Sequence, residues 1–328
     1  MSRNARKMLI LVVFCLYGIL ISIPGFMLRS RSTNITSVKS ALLNPKYSSE
    51  VNEITLTFET KDSLTFQKQT TGSGEAVWMC TTSDGMMFPA NETIINQLIS
   101  RASETRSMAQ ISDSYAAWSA LGLSDDDAIN VKFSCNNPDG STIIFSSLFF
   151  GYENADSTKI YVRNDRKSTS WRIQNVYSSY LTDNCSSWAD QRLLPIVSKD
   201  EKDAAVTCIT VETEEGIRKM YNDDVHADGF DELVHTLLSL RSSELCSPYD
   251  FENQPVHPEK ILTVTLERNS DSRNTSYGLS IYKAQYTEEP FFFVKNFGIN
   301  ENGEGQYYQV ISTWTYNKIA EALSTTGW

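Results

Sequence analysis

Residues 51–66 read VNEITLTFETKDSLTF. Ile54, Leu56 and Phe58, then Leu64 and Phe66, put an apolar side chain at every second position. That is the period of a strand with one buried face, so the stretch predicts paired strands. A turn-rich stretch follows. Pro89-Ala90-Asn91 then offers Asn91 as an N-cap, and Ile94, Ile95, Leu98 and Ile99 follow at helical spacing.

The same succession returns further along. Val206 to Val211 is strand-like, and His226-Ala227-Asp228 precedes Leu233, Val234, Leu237 and Leu238 at the spacing of the first helix. Ile129, Val131 and Phe133 alternate, as do Leu262, Val264 and Leu266. Ile160-Tyr161-Val162-Arg163-Asn164 resembles Phe292-Phe293-Val294-Lys295-Asn296. Trp171, Ile173 and Tyr177 align with Tyr308, Val310 and Trp314. The preserved order points to a duplication. Turn signals at Pro138-Asp139-Gly140 and Asn302-Gly303-Glu304-Gly305 separate neighbouring strands, so the sheets are expected to be mostly antiparallel.

Upstream, residues 8–28 read MLILVVFCLYGILISIPGFML and carry no charge. As a helix this segment would rise roughly 31 Å, close to the thickness of a hydrocarbon core. Arg3, Arg6 and Lys7 precede it, and Arg29 and Arg31 follow. A cleaved signal peptide is the rival reading, but its apolar region would be shorter, and Ile23-Pro24-Gly25-Phe26 offers no small-x-small cleavage site. The expected fold class is therefore α+β: an N-terminal transmembrane helix followed by two tandem, similar α+β units with mostly antiparallel sheets and a packed helix each. Residues 1–7 form a cytoplasmic tail, 8–28 the transmembrane helix and 29–50 a Ser/Thr/Asn-rich stalk. The first unit covers 51–198 and the second, diverged unit 199–328. The surface between the units is the expected place for a partner or ligand.

Charge narrows the partners. Residues 1–46 hold seven basic side chains and no acidic one, which leaves 22 basic against 40 acidic groups in the remainder, a net of −18. So acidic a body repels a phosphate backbone, so nucleic acid is not an expected partner. The basic flanks of the apolar segment are the part suited to anionic lipid headgroups. Outside that segment Cys80, Cys135, Cys185, Cys208 and Cys246 are widely spaced, without a CxxC pair. Buried thiols or one or two disulfides both fit.

No catalytic, cofactor-binding or metal-binding residue is assigned, and the chain is not expected to be an enzyme. GxSxG, HExxH and P-loop motifs are absent. Asp224-Val225-His226-Ala227-Asp228-Gly229 begins like a calcium loop but places His226 and His235 where oxygen ligands belong. Asp125-Asp126-Asp127 reads as a solvated turn rather than a cation site, and His257 decorates a loop. Tyr152, Tyr161, Trp171, Tyr177, Tyr180 and Trp188 could form a binding platform, as could Phe291 to Phe293, Tyr307, Tyr308 and Trp314. Strand cores use such residues more often.

A set of features in order also resembles a family. Trp78 follows the opening hairpin and Pro89 precedes the helix. Leu121-Gly122-Leu123 comes before a strand, Asp139-Gly140 sits in the next hairpin, and Gly151 ends its second strand. Tyr161-Val162-Arg163 and Arg192-Leu193-Leu194 complete the set. Residues 51–195 thereby resemble the bacterial family called domain of unknown function 4340, with Asp125-Asp126-Asp127 departing from its usual prolines. The resemblance implies an extracytoplasmic accessory, scaffolding or binding subunit, anchored in the cell (inner) membrane beside a gliding-motility-like ABC-type permease or auxiliary subunit. It implies no catalytic residues. The alternative is a membrane-anchored enzyme or ligand-binding receptor acting on cell-envelope polymers.

Overall fold

Backbone pairing and side-chain burial follow the alternation. The computed structural model describes residues 36–70, 76–165, 167–194, 206–222, 227–270, 273–284, 290–297 and 307–325. The first sheet contains β1 (Ser37–Ser40), β2 (Glu53–Thr57), β3 (Ser63–Thr70), β4 (Ala76–Thr82) and β5 (Met87–Pro89). After helix α1 (Glu92–Ser103) come β6 (Arg106–Ser112), β7 (Ile129–Asn136), β8 (Thr142–Glu153), β9 (Lys159–Asn164) and β10 (Ser170–Gln174). All are antiparallel, in the order β1-β6-β10-β9-β8-β7-β2-β3-β4-β5. Ile54 lies opposite both Phe66 and Phe133, and Leu56 opposite Leu64 and Val131; all six are buried in one core. Each large apolar side chain so withdrawn from water contributes roughly 1.5–3 kcal/mol.

The short helix α2 (Cys185–Trp188) leads into the second sheet. Its strands are β11 (Val206–Thr213) and β12 (Gly216–Tyr221), then, after α3 (Ala227–Ser239), β13 (Glu244–Cys246). Beyond the one-turn helix α4 (Pro248–Glu252) come β14 (Glu259–Ser270), β15 (Arg273–Lys283), β16 (Phe292–Phe297) and β17 (Tyr308–Ile311), and α5 (Thr313–Thr325) ends the described chain. The order is β12-β11-β14-β15-β16-β17-β13. Within the first sheet β3-β2-β7-β8-β9-β10-β6 is the same order, so the central seven strands repeat. Pairing carries the match to single residues: Phe150 faces Val162 as Ile281 faces Val294, and Ile54 faces Phe133 as Ile209 faces Leu266. Val162 and Val294 are fully buried, each in its own core.

Both helices that follow the opening strands bury one stripe. In α1, Ile95, Leu98, Ile99 and Ala102 are buried, and Asn91 caps the first turn by accepting from Thr93 N at 3.0 Å. In α3 the stripe is Phe230, Leu233, Val234 and Leu237, and Asp228 lies in its first turn.

The expected fold class nevertheless needs correction. The chain is dominated by two large antiparallel sheets rather than by helix-packed units. The second core also takes Ile319, Ala322 and Leu323 from α5, a helix that was not expected, so one packed helix per unit does not describe it. Among the described residues no helix is long and apolar enough to cross a membrane; the apolar segment 8–28 lies outside them. The stretch taken as a stalk is folded from Ser37 onward: β1 pairs with β6, and Leu42 and Leu43 are buried in the first core. The alignment of β10 with β17 slips by one residue. Ile173 opposes Ile160 as Ile311 opposes Phe292, so Ile311 and not Val310 is its counterpart. A slip of one turns a strand's side chains to the other face. Trp314, 65% exposed, is not the equivalent of the buried Tyr177.

The two sheets meet along residues 189–194. Ala189 bridges Ala90, and Asp190 N donates to Pro89 O at 2.9 Å, both on the first side. On the second side, Arg192 bridges Arg241, Ser242 N donates to Gln191 O at 2.8 Å, and Leu193 N donates to Leu240 O at 3.0 Å. Leu193 and Leu194 are already in the second core, while Tyr307 reaches back into the first. The buried Gln309 donates from Nε2 to Arg192 O at 2.8 Å and accepts from Asn296 Nδ2 at 3.1 Å. Replacing Gln309 with Ala removes the donor to Arg192 O and one of the two acceptors of Asn296 Nδ2. Urea unfolding should show a loss of about 1–3 kcal/mol, whereas a change within experimental error would show that this network does not hold the sheets together.

Candidate functional site

Where a cleft between the units was expected, the described residues of 189–194 and β17 pack against one another. Gln309, Asn296, Ser242 and Tyr307 are buried there and hydrogen-bonded. Two other places hold unusual arrangements of side chains.

The first is built on the face of sheet one opposite α1. Because strand side chains alternate, Val162 enters the core and its neighbour Arg163 points the other way. The connection from β6 to β7 crosses that face through two tight turns, Tyr115–Ala117 and Ser119–Leu121. Arg163, 1% exposed, donates from Nε to Leu123 O at 2.7 Å and pairs with Asp125. Its guanidinium carbon lies 3.7 Å from the Trp118 ring centroid and 3.6 Å from that of Phe149. Burial lowers the pKa of the guanidinium, and the Asp125 carboxylate opposes that shift. Gly122 adopts a left-handed φ of 65° under the Tyr152 ring, and a Cβ on Gly151 would run into the Leu121 carbonyl. Leu121-Gly122-Leu123, Gly151 and Tyr161-Val162-Arg163, far apart in sequence, thus form one latch. Sheet two has an apolar counterpart: Phe251 of α4 stacks on Tyr308 at 3.8 Å and meets Phe293 edge-on at 5.2 Å.

This latch explains the aspartate run. Asp125 pairs with Arg163, Asp126 with Lys61 at 2.8 Å, and Asp127 accepts from Ser124. They diverge rather than converge on a cation. His235 and His257 are exposed, and His257 sits edge-on to Phe251 at 5.7 Å; residues 224–226 lie outside the described residues. Among the described residues no group of three His, Cys, Asp or Glu side chains is placed to hold a metal. Tyr177, Tyr180, Trp188, Phe292, Phe293, Tyr307 and Tyr308 are buried, Tyr161, Trp171 and Phe291 are half-buried, and only Tyr152 and Trp314 of that set stand exposed.

The second place is a groove of about 660 Å³ between residues 40–45 and strands β8 and β9. Leu42, Ile144 and Phe145 give it an apolar floor, and Asn44, Asn164 and Lys167 bring polar groups to it. Ser146 Oγ holds Leu42 O at 2.9 Å. Phe145 stacks on Tyr47 at 4.6 Å, and Lys46 Nζ lies 4.3 Å from the Tyr47 centroid. Asn44 Oδ1 caps the turn Pro45–Tyr47, and its NH2 group has no partner among the described residues. Concave surfaces that set polar groups beside apolar side chains are candidate binding sites. Sequence reasoning missed it, since residues 40–47 carry no motif.

The described cysteines are all free thiols. Burial raises Cys80 well above the ordinary thiol range and pushes Cys185 and Cys246 up to about 11. These groups stay protonated at neutral pH and are poor nucleophiles. Iodoacetamide at pH 8 should leave the buried Cys80 and Cys246 unmodified in the native chain and label them after denaturation, as read by peptide mass; rapid native labelling would contradict their burial. Replacing Arg163 with Lys keeps the charge but loses the planar fork and stacking. Hydrogen exchange in residues 115–128 should rise by about tenfold, for a loss of roughly 1–2 kcal/mol, while α1 stays protected. An unchanged connection would show that the latch is not formed by Arg163.

Comparison with known proteins gives one match. The family model described as Domain of unknown function (DUF4340) covers residues 78–255. That is more than half of the 328-residue chain, and it runs from β4 across residues 189–194 to just beyond α4, beginning later and ending later than the resemblance over 51–195 indicated. No curated protein and no solved structure matches. With its latch residues and the strap at 189–194 inside the matched region, the chain belongs to the DUF4340 family.

Proposed function

We propose that this protein is a membrane-anchored, extracytoplasmic accessory or scaffolding subunit of an ABC-type transport complex, tethered through residues 8–28. The observation that carries this reading is the join between the uncharged stretch and the folded body. Residues 8–28 carry no charge, and β1 begins at Ser37. Residues 29–35 span at most roughly 25 Å even when fully extended. A two-sheet body is thereby held close to the bilayer, a geometry suited to bracing a membrane partner. The gliding-motility-type transporter is the partner class implied by the family resemblance. The receptor form of the alternative, binding an envelope polymer, draws support from the groove beside β8.

Two measurements test the proposal. Pull-down of the full chain in mild detergent should recover a permease or auxiliary subunit by mass spectrometry; its absence under conditions that preserve other membrane complexes would remove the transporter assignment. Alkaline phosphatase fused after Trp328 should be active, because the body is on the outer side. An inactive fusion, with a fluorescent cytoplasmic reporter at the same site, would reverse the topology.

A further inference from the structure

We propose that the groove and its rim form a lipid-docking face, which seats phosphate-bearing anionic headgroups of the membrane in which residues 8–28 are anchored. The inference rests on that anchor, and on four observations at the face itself.

Three side chains bring donor groups to the groove. The Asn44 NH2, the Asn164 amide and the Lys167 ammonium have no protein partner among the described residues, and Lys46 extends over Tyr47 at the edge. A phosphate offers only acceptor oxygens, so donors are the complementary set. The second observation is Ile143 and Ile144, 51% and 55% exposed. Consecutive strand residues face opposite sides, and a sheet normally buries one of them. Here the ladder is irregular at Phe133 and Ser134, and both isoleucines stay in the open beside the groove. An apolar pair next to cationic side chains matches the two-part chemistry of a bilayer surface.

The third observation is the charge distribution. Residues 40–45 build one wall of the groove, and the charged side chains of residues 1–46 are all basic, while the remainder carries a net −18. An anionic bilayer repels most of this body and admits the end bearing Lys46 and Lys167. The fourth is reach, since residues 29–35 keep β1 and the groove beyond it near the surface. Two carboxylates limit the depth of contact. Asp165 lines the groove, and Asp139, held ionised by its bonds to Ser141, sits in the hairpin that leads to Ile143. The contact is therefore at headgroup level, without deep insertion.

Hydrogen exchange of the full chain in lipid nanodiscs tests this. In discs containing anionic phosphatidylglycerol, residues 41–47 and 141–147 should exchange more slowly than in purely zwitterionic phosphatidylcholine discs, by about threefold or more. Lys46→Ala with Lys167→Ala should lower surface association about fivefold per lysine and erase the difference. Both lysines are exposed, and Ile143→Ser with Ile144→Ser provides a second variant that should act alike. Soluble glycerol phosphate in zwitterionic discs should not reproduce the protection; if it does, the site takes a free phosphate ester and docking on lipid is overturned. Equal exchange in both kinds of disc, with the chain incorporated, overturns the docking face and leaves the anchor standing. A chain that does not enter the discs overturns the anchor, and the docking face with it.

Discussion

Residues 189–194 are hydrogen-bonded on both sides, and the rest of the molecule depends on that strap. Each sheet has its own apolar core, so each half could move independently were the crossing flexible. Backbone bonds from the strap to Pro89 and Ala90 on one side, and to residues 240–242 on the other, prevent this. Gln309 closes the arrangement by taking up the Arg192 carbonyl. Gln309 and Ser242 are buried, so at their bonds water does not readily replace a lost partner. The duplicated order of strands thereby yields one body rather than two beads on a string.

Duplication also accounts for how the two outer faces diverge. In each half the segment between the strand after the helix and the long central strand lies over the face remote from that helix. The first half pins it with a cation held between two aromatic rings; the second uses a stack of aromatic rings around Phe251. The topology of the central seven strands persists while the chemistry of the cover changes. A cationic latch depends on Asp125 and Leu123 O as well as on the rings, so it places more demands on sequence. That is consistent with its coincidence with residues that carry the family resemblance.

Much of this was legible from residue order. Alternation at Ile54, Leu56 and Phe66 marked the core strands, and Ile95, Leu98 and Ile99 marked the stripe of α1. The duplication was visible because buried positions recur in order. Legibility ended where burial involves polar residues or where apolar signal is sparse. Gln309 and Asn296 look like surface residues, so the packed junction was read as an open cleft. β1 offers only Val38 as a core-facing apolar residue, so a four-residue edge strand passed for stalk. In β17 the sequence Tyr308-Gln309-Val310-Ile311 has apolar residues on both faces, and periodicity alone could not fix its register against β10. The helix α5 was overlooked because Trp314 was assigned to a strand repeat. The partners of Asp125 and Asp126, at Arg163 and Lys61, are joined to them only by folding.

The account turns on the two sheets unfolding as one unit, and native-state hydrogen exchange across a denaturant series reads this directly in the full chain. Buried amides at the centres of β7 and β14 should converge on one global isotherm, with the same opening free energy and the same denaturant dependence. Two separate plateaus, with one sheet opening while the other stays protected, would contradict the claim that the strap at residues 189–194 makes a single body.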